Sequence, residues 1–332
     1  MADVHPFIRE ELLPPGRPPR RHLISIEDLT RDDVERLLAL ARTFARTVER
    51  EIKKLPTLKG RTVVNLFYES STRTSSSFEL AAKRLSADVM SIKATGSSVD
   101  KGESLKDTAL TIAAYDPDVI VIRHPEIGAP HLVARHTQAH IVNAGDGKHQ
   151  HPTQALLDLY TIDEELGGIE GLHIAIVGDI LHSRVARSNI QAFRLMGARV
   201  TLVGPPTLIP RGIEGLGCDV SYAIDAIRGA DVVYVLRMQR ERMLEGENYV
   251  PSLREYTERW GLTSERLRPG QKIMHPGPIN RGVEIEAAVA DAADALIERQ
   301  VRSGLVVRMA VLYDLLTHEP VEVKAAVMEE VA

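Results

Sequence analysis

The sequence predicts an α/β protein built as two doubly wound, parallel-sheet domains with an active site in the cleft between them. Three observations predict it. The chain has 332 residues, which suits two domains of about 150 residues each. Short β-rich runs alternate with helical stretches, the pattern of parallel sheets covered on both faces. The chemically unusual residues stand just past the ends of those runs, where open α/β sheets bind their ligands.

The elements follow in order. Residues 1–21 hold five prolines and several arginines, so they are expected to form an extended Pro/Arg-rich arm instead of a helix. The next helix is expected over 32–54, with Val34, Leu37, Leu38 and Ala41 on one face. Strands are expected at 62–67, 89–92, 119–122, 141–143, 173–177, 199–203, 231–236 and 272–274. The expected domains are 22–151 and 152–304, with a C-terminal helix over 305–332 packing back on the first.

Composition narrows the function. Hydrophobic residues make up 44% and charged residues 26%, the balance of a soluble globular protein. A net charge of -5 gives no global reason to bind nucleic acid, so an anionic substrate needs a local cluster of cations. The single cysteine, Cys218, excludes an internal disulfide and a Cys-rich zinc site. No apolar run approaches a membrane span, and the N-terminus lacks the apolar core of a secretory signal, which together read as a cytoplasmic protein.

The strand ends carry the chemistry. The run Ser71-Thr72-Arg73-Thr74 follows a strand and opens a helix whose apolar side is Phe78, Ala81, Ala82 and Leu85. Hydroxyls and free backbone N–H groups at a helix N-terminus cradle phosphate, and Arg73 can grip two of its oxygens. A plain Ser/Thr N-cap with a surface arginine is the alternative. The run is not a P-loop, because no Gly-x-x-x-x-Gly-Lys-Ser/Thr pattern exists. Arg123-His124-Pro125 ends another strand. His151-Pro152-Thr153-Gln154 opens a helix with Leu156, Leu157 and Tyr160 on its apolar side, and proline suits that first turn. His151 there could meet a carbonyl oxygen as it becomes an oxyanion, its pKa lowered by the helix end and nearby arginines. Capping alone is the alternative role for His151 and Gln154.

In the second half, Gly178-Asp179 follows a strand, but the Gly-x-Gly-x-x-Gly fingerprint of a dinucleotide site is missing. Arg184 opens the next helix and could take a carboxylate. In Arg237-Met238-Gln239, period-two geometry sends Arg237 and Gln239 to one side and Met238 to the other. Glu241 could orient Arg237. Arg237 can hold a second carboxylate, so the pair of arginines suits a dicarboxylate. Pro276-Gly277-Pro278 is rigid and offers carbonyls with few competing N–H groups. It could instead be only a turn.

Taken together, Ser71-Thr72-Arg73-Thr74, Arg123-His124-Pro125, His151-Pro152-Thr153-Gln154, Arg237-Met238-Gln239 and His275-Pro276-Gly277-Pro278 resemble the aspartate carbamoyltransferase catalytic chains of the aspartate/ornithine carbamoyltransferase superfamily, in order from about residue 22 to 318. The resemblance implies transfer of a carbamoyl group from carbamoyl phosphate to L-aspartate, a step of pyrimidine synthesis, with no metal and no organic cofactor. It implies that Ser71, Thr72, Arg73, Thr74 and Arg123 bind phosphate and that Thr74, Arg123 and His151 polarise the carbamoyl oxygen. Gln154 and the backbone of Pro276, Gly277 and Pro278 would hold the carbamoyl NH2. Arg184, Arg237 and Gln239 would hold the aspartate carboxylates. Ser97 and Lys101 lie in a segment similar to the family's mobile loop, which reaches a neighbouring subunit's site, so a homotrimer with shared sites is implied. A regulatory chain or a dihydroorotase is a further possible partner. The ornithine-specific members carry Asp-x-x-x-Ser-Met-Gly and His-Cys-Leu-Pro elements; this sequence has Leu195-Met196-Gly197 without the acid and serine, and His275-Pro276-Gly277-Pro278.

Overall fold

The computed structural model describes residues 22–93, 102–239 and 249–317. Its first sheet contains β1 (His22–Leu23), β2 (Thr62–Phe67), β3 (Asp88–Lys93), β4 (Val119–His124) and β5 (His140–Asp146), in the order β1-β5-β4-β2-β3. Its second contains β6 (His173–Val177), β7 (Arg199–Val203), β8 (Asp219–Ser221), β9 (Val232–Val235) and β10 (Lys272–Met274), in the order β10-β9-β6-β7-β8. Every pairing in both sheets is parallel. The central strands are buried along their length, which is why their sequences are continuous apolar runs and not alternations. The expected fold class holds.

Differences from the expected elements have local causes. Strands β1 and β8 were not anticipated, because two or three residues leave no room for a pattern to develop. Strand β5 continues past Asn143 to Asp146. The polar residues that would end it are satisfied locally: Asp146 accepts hydrogen bonds from Asn143 Nδ2 at 2.8 Å, Gly128 N at 2.9 Å and Gln150 N at 3.1 Å. Helix α1 (Arg31–Val48) starts at a reciprocal cap between Thr30 and Asp33 and stops short of residue 54. Residues 51–54 are exposed and Ile52 faces solvent, so no apolar stripe holds further turns against the core.

The helices are α2 (Thr72–Arg84), α3 (Leu105–Ala113), α4 (Ala129–Ala134), α5 (Pro152–Leu166), α6 (Arg184–Leu195), α7 (Leu253–Trp260), α8 (Ala287–Ala290) and α9 (Ile297–Thr317). Helix α5 carries the chain from one sheet to the other and is buried from Pro152 to Ile162. Helix α9 returns to pack on α1, α2 and α5. Arg36 Nε meets Asp314 Oδ1 at 3.0 Å, and the Phe44 and Tyr313 rings meet edge to face at 5.6 Å. The C-terminal helix was expected from 305; it begins at Ile297, where buried Leu296 and Gln300 anchor its first turn. The expected arm, and the rest of that helix beyond Thr317, lie outside the described residues.

Topology fixes where ligands can bind. In the first sheet the chain moves from β2 outward to β3, then crosses back to β4 on the other side of β2. The order therefore reverses between β2 and β4. In the second sheet the corresponding reversal lies between β6 and β9. Crevices at such switch points, outside the carboxyl ends of the strands, are where open α/β sheets take ligands.

Candidate active site between the two sheets

Both switch points open into one cavity of about 560 Å³. From the β2 end come Ser71, Thr72, Arg73 and Thr74, and from the β4 end Arg123. From the start of α5 come His151 and Gln154, and from the start of α6 Arg184. The β9 end gives Arg237 and Gln239, and the β10 end gives Pro276, Gly277 and Pro278. Every expected site residue within the described portion lines this cavity. Ser97, Lys101 and Glu241 lie outside the described residues.

The Ser71–Thr74 side of the cavity is a helix start. Ser71 is the N-cap of α2, its Oγ accepting from Thr74 N at 3.4 Å. The helix buries Phe78, Ala81 and Ala82, followed by Leu85, so its N-terminus is held at the sheet's edge with the dipole's positive end toward the cavity. Arg123 sits where the β4–β5 register shifts between Ile122 and His124. Such irregularities re-aim side chains. Its Nη1 donates to Ala144 O at 3.2 Å and its Nε lies 3.3 Å from Glu69 Oε2.

The His151 side of the cavity is the start of α5. His151 is the N-cap, with Pro152 following, and the helix end receives no side-chain cap hydrogen bond. The His151 N–H donates to Ser188 Oγ at 2.8 Å, and Ser188 in turn donates to Gln150 Oε1 at 2.6 Å. The imidazole is thus carried on a backbone tied to α6. Gln154, one turn on, directs its Nε2 to Asp158 Oδ1 at 3.0 Å.

The segment from His275 to Pro278 presents only acceptors. Pro276 and Pro278 have no N–H. The His275 N–H is taken by Gln300 Oε1 at 2.9 Å and the Gly277 N–H by His275 Nδ1 at 2.8 Å. Because Nδ1 accepts, the ring proton belongs on Nε2, which faces Glu284 Oε1 at 3.3 Å. Burial, with Arg73 and Arg237 nearby, holds the His275 pKa below its ordinary value despite Glu284.

The second half contributes the remaining cations. Arg184 is buried and passes over Gly145: a Cβ there would come within 2.7 Å of its Nη1. Its Nη2 pairs with Glu69, while Nη1 is buried without a hydrogen-bond partner among the described residues. Met238 turns into the core and Arg237 and Gln239 face the cavity, as period two requires. Asp179 holds that loop by accepting from Gln239 N at 3.0 Å and from the His182 ring at 2.8 Å. The Gly178-Asp179 turn thus has a positioning role of its own within this site.

Three charged residues at the site went unnamed in the sequence, as did Gln300 in the cavity wall. Glu69 bridges Arg123 and Arg184, one from each half. Its place directly after β2 was the available signal. Arg308, in α9, lines the cavity and is fully buried, with its guanidinium carbon 5.1 Å from the Phe78 ring centre. Burial pushes its pKa down to about 10, with Asp158 opposing the shift. Asp158 is the third, and it lies under Gln154. Among the described residues, no group of three or more His, Cys, Asp or Glu side chains is arranged to hold a metal ion. No described helix is long and apolar enough to cross a membrane.

Residues 21–164 match the family model for the aspartate/ornithine carbamoyltransferase carbamoyl-P binding domain, and residues 170–315 match its Asp/Orn binding domain. The chain belongs to the aspartate/ornithine carbamoyltransferase family. The aspartate carbamoyltransferase catalytic subunit of Acidothermus cellulolyticus is 58% identical over 300 residues, covering 89% of this chain and 92% of that one. The fold is similar to aspartate transcarbamoylase from Trypanosoma cruzi in complex with carbamoyl phosphate and aspartate, with a TM-score of 0.82 and 33% identity over 92% of this chain and 100% of the other. A structure of the same protein with N-(phosphonacetyl)-L-aspartic acid gives a TM-score of 0.81 at 33% identity over 90% and 96% of the two chains.

Proposed function

We propose that this chain transfers the carbamoyl group of carbamoyl phosphate to the α-amine of L-aspartate, giving N-carbamoyl-L-aspartate and phosphate. One observation carries the reading: Arg73, Arg123, Arg184 and Arg237, from two separate switch points, line a single cavity that also receives the N-termini of α2 and α5. Such a site suits two anions held side by side.

In this reading the first half, residues 22–151, takes the donor. Ser71, Thr72, Arg73, Thr74 and Arg123 hold phosphate, and Thr74, Arg123 and His151 donate to the carbamoyl oxygen. Gln154 and the carbonyls of Pro276 to Pro278 accept from the NH2. The second half, residues 152–304, takes the acceptor, with Arg184 and Arg237 on its two carboxylates and Gln239 beside them. Arg308 adds a buried cation to the same wall.

The amine lone pair attacks the carbonyl carbon and a C–N bond forms. The carbonyl electrons move to oxygen, where fixed donors stabilise the charge at little reorganisation cost. The C–O bond to phosphate then breaks, and the amine proton leaves with phosphate. The protein's contribution is orientation and electrostatics, with no covalent intermediate on a side chain.

Ornithine is disfavoured as acceptor, because Arg237 would face its cationic side chain. Supplying carbamoyl phosphate with either amino acid decides: aspartate is expected to be carbamoylated, and preference for ornithine would reject the reading. The same reading places the chain in the cytoplasm as a homotrimer, with Ser97 and Lys101 entering a neighbour's site. A regulatory chain or dihydroorotase is a further candidate partner. Light scattering of the purified chain, alone and with those partners, tests the assembly.

A further inference from the structure

Asp158 is completely buried in α5 and receives four side-chain donors from four elements. Its Oδ1 accepts from Gln154 Nε2 at 3.0 Å and from Gln300 Nε2 at 2.7 Å. Its Oδ2 accepts from Tyr234 OH at 2.7 Å and from Asn189 Nδ2 at 3.0 Å. An ionised carboxylate can only accept. It therefore dictates which end of each neighbouring amide points toward it. With both Nε2 groups committed, Gln300 has its oxygen free for the His275 N–H, which it takes at 2.9 Å. Gln154, which lines the cavity, keeps its oxygen as the polar end left for a ligand.

We propose that Asp158 is a positioning residue that sets the polarity of the Gln154 and Gln300 amides, so that a ligand NH2 meets acceptors on both sides. On one side stands Gln154 Oε1. On the other stands the His275–Pro278 segment, whose N–H groups are consumed and whose first N–H is tied through Gln300 to the same carboxylate. The inference rests on the reading that the cavity takes carbamoyl phosphate. It adds the reason the site distinguishes an amide NH2 from a methyl group of the same size: a donor is matched by acceptors, and a methyl leaves them unpaired. Burial pushes the Asp158 carboxyl up to about 6, still ionised at neutral pH. The four donors oppose that rise, and Asp158 in turn counters the lowering of the Arg308 pKa by burial.

The test compares carbamoyl phosphate with acetyl phosphate, which carries a methyl in place of the NH2. Asp158→Asn keeps the size but turns one acceptor oxygen into a donor, so either Gln154 and Gln300 or Asn189 and Tyr234 lose their partner. The KM for carbamoyl phosphate is expected to rise on the order of 10- to 100-fold. The inhibition constant of acetyl phosphate, measured as a competitor, is expected to change less than about threefold, because it makes no use of those acceptors. An equal change in both constants, as a merely structural role would give, overturns the proposal, and so does no change in either. Should Asp158→Asn not fold, Gln300→Met breaks the bridge from Asp158 to the His275 N–H and leaves the Gln154–Asp158 hydrogen bond in place. A KM rise without a matching rise for acetyl phosphate supports the proposal there, and unchanged discrimination overturns it. A wild-type protein that fails to carbamoylate aspartate sinks the functional reading itself, whereas an active, discriminating wild type with an equally discriminating Asp158→Asn sinks this inference alone.

Discussion

Gly277 lies directly against the guanidinium of Arg73: a Cβ at Gly277 would stand 2.6 Å from Arg73 Cζ and 2.7 Å from its Nη1. The two residues belong to different halves of the molecule, and their packing joins the His275–Pro278 segment of one to the arginine proposed to grip phosphate in the other. Gly277 also has φ +66, a conformation that other residues adopt at a cost. Gly277→Ala is therefore expected to displace Arg73 and raise the KM for carbamoyl phosphate by about tenfold or more, equivalent to roughly 1–3 kcal/mol of strain and lost contact. Steady-state kinetics at saturating aspartate check it; an unchanged KM would mean that Arg73 does not grip the donor.

The oxyanion donors are expected to act on turnover. His151→Ala or Arg123→Ala should each lower kcat on the order of 10²–10³-fold, the usual loss on removing one such donor. Circular dichroism should show the fold retained, since neither side chain belongs to an apolar core. Near-normal kcat in either purified variant would remove that residue from the chemistry.

Arg237 should matter to the acceptor alone. Arg237→Ala is expected to raise the KM for aspartate about 10- to 100-fold, as for a charge-assisted hydrogen bond worth roughly 1.5–3 kcal/mol. Inhibition by inorganic phosphate should stay within about twofold, because the phosphate cradle is built from the other half. Loss of phosphate affinity of the same size would place Arg237 on the donor instead.

His275 gives a pH signature. Burial, and to a lesser degree Arg73 and Arg237, hold its folded pKa below the ordinary 6.5. The unfolded chain then takes up the proton before the folded chain does. Stability from neutral His275 is present above pH 6.5 and declines as pH falls from there toward the depressed folded value. The slope from this group is at most about 1.4 kcal/mol per pH unit. Denaturation midpoints between about pH 8 and about pH 5.5 should fall more steeply for wild type than for His275→Asn, which keeps an acceptor for the Gly277 N–H but does not titrate. Parallel curves would contradict the assignment.

Much of this architecture was legible because parallel sheets write themselves as apolar runs with polar punctuation. Arg123, Arg237 and the Ser71–Thr74 run stand where a strand stops, and a strand end is visible in one dimension. Gly145 and Glu69 were harder: their meaning lies in Arg184, which sits 39 and 115 positions away. Asp158 offered one signal, a carboxylate one helical turn after Gln154 and flanked by Leu156, Leu157 and Leu159. Its other partners, Asn189, Tyr234 and Gln300, are brought to it only by tertiary packing. Arg308 reads in sequence as one cation within the apolar run 305–312 of α9, and only its place in the cavity wall distinguishes it. The overextension of α1 has the same root, since periodicity persists past the point where the core ends.

The central claim is that one cavity holds a phosphate-bearing group and a dicarboxylate at the same time. Calorimetric titration with N-(phosphonacetyl)-L-aspartate, which joins the two, tests it most directly. The account predicts one site per chain whose occupancy abolishes the binding of both inorganic phosphate and succinate. Displacement of only one of them, or independent binding of all three, would contradict it.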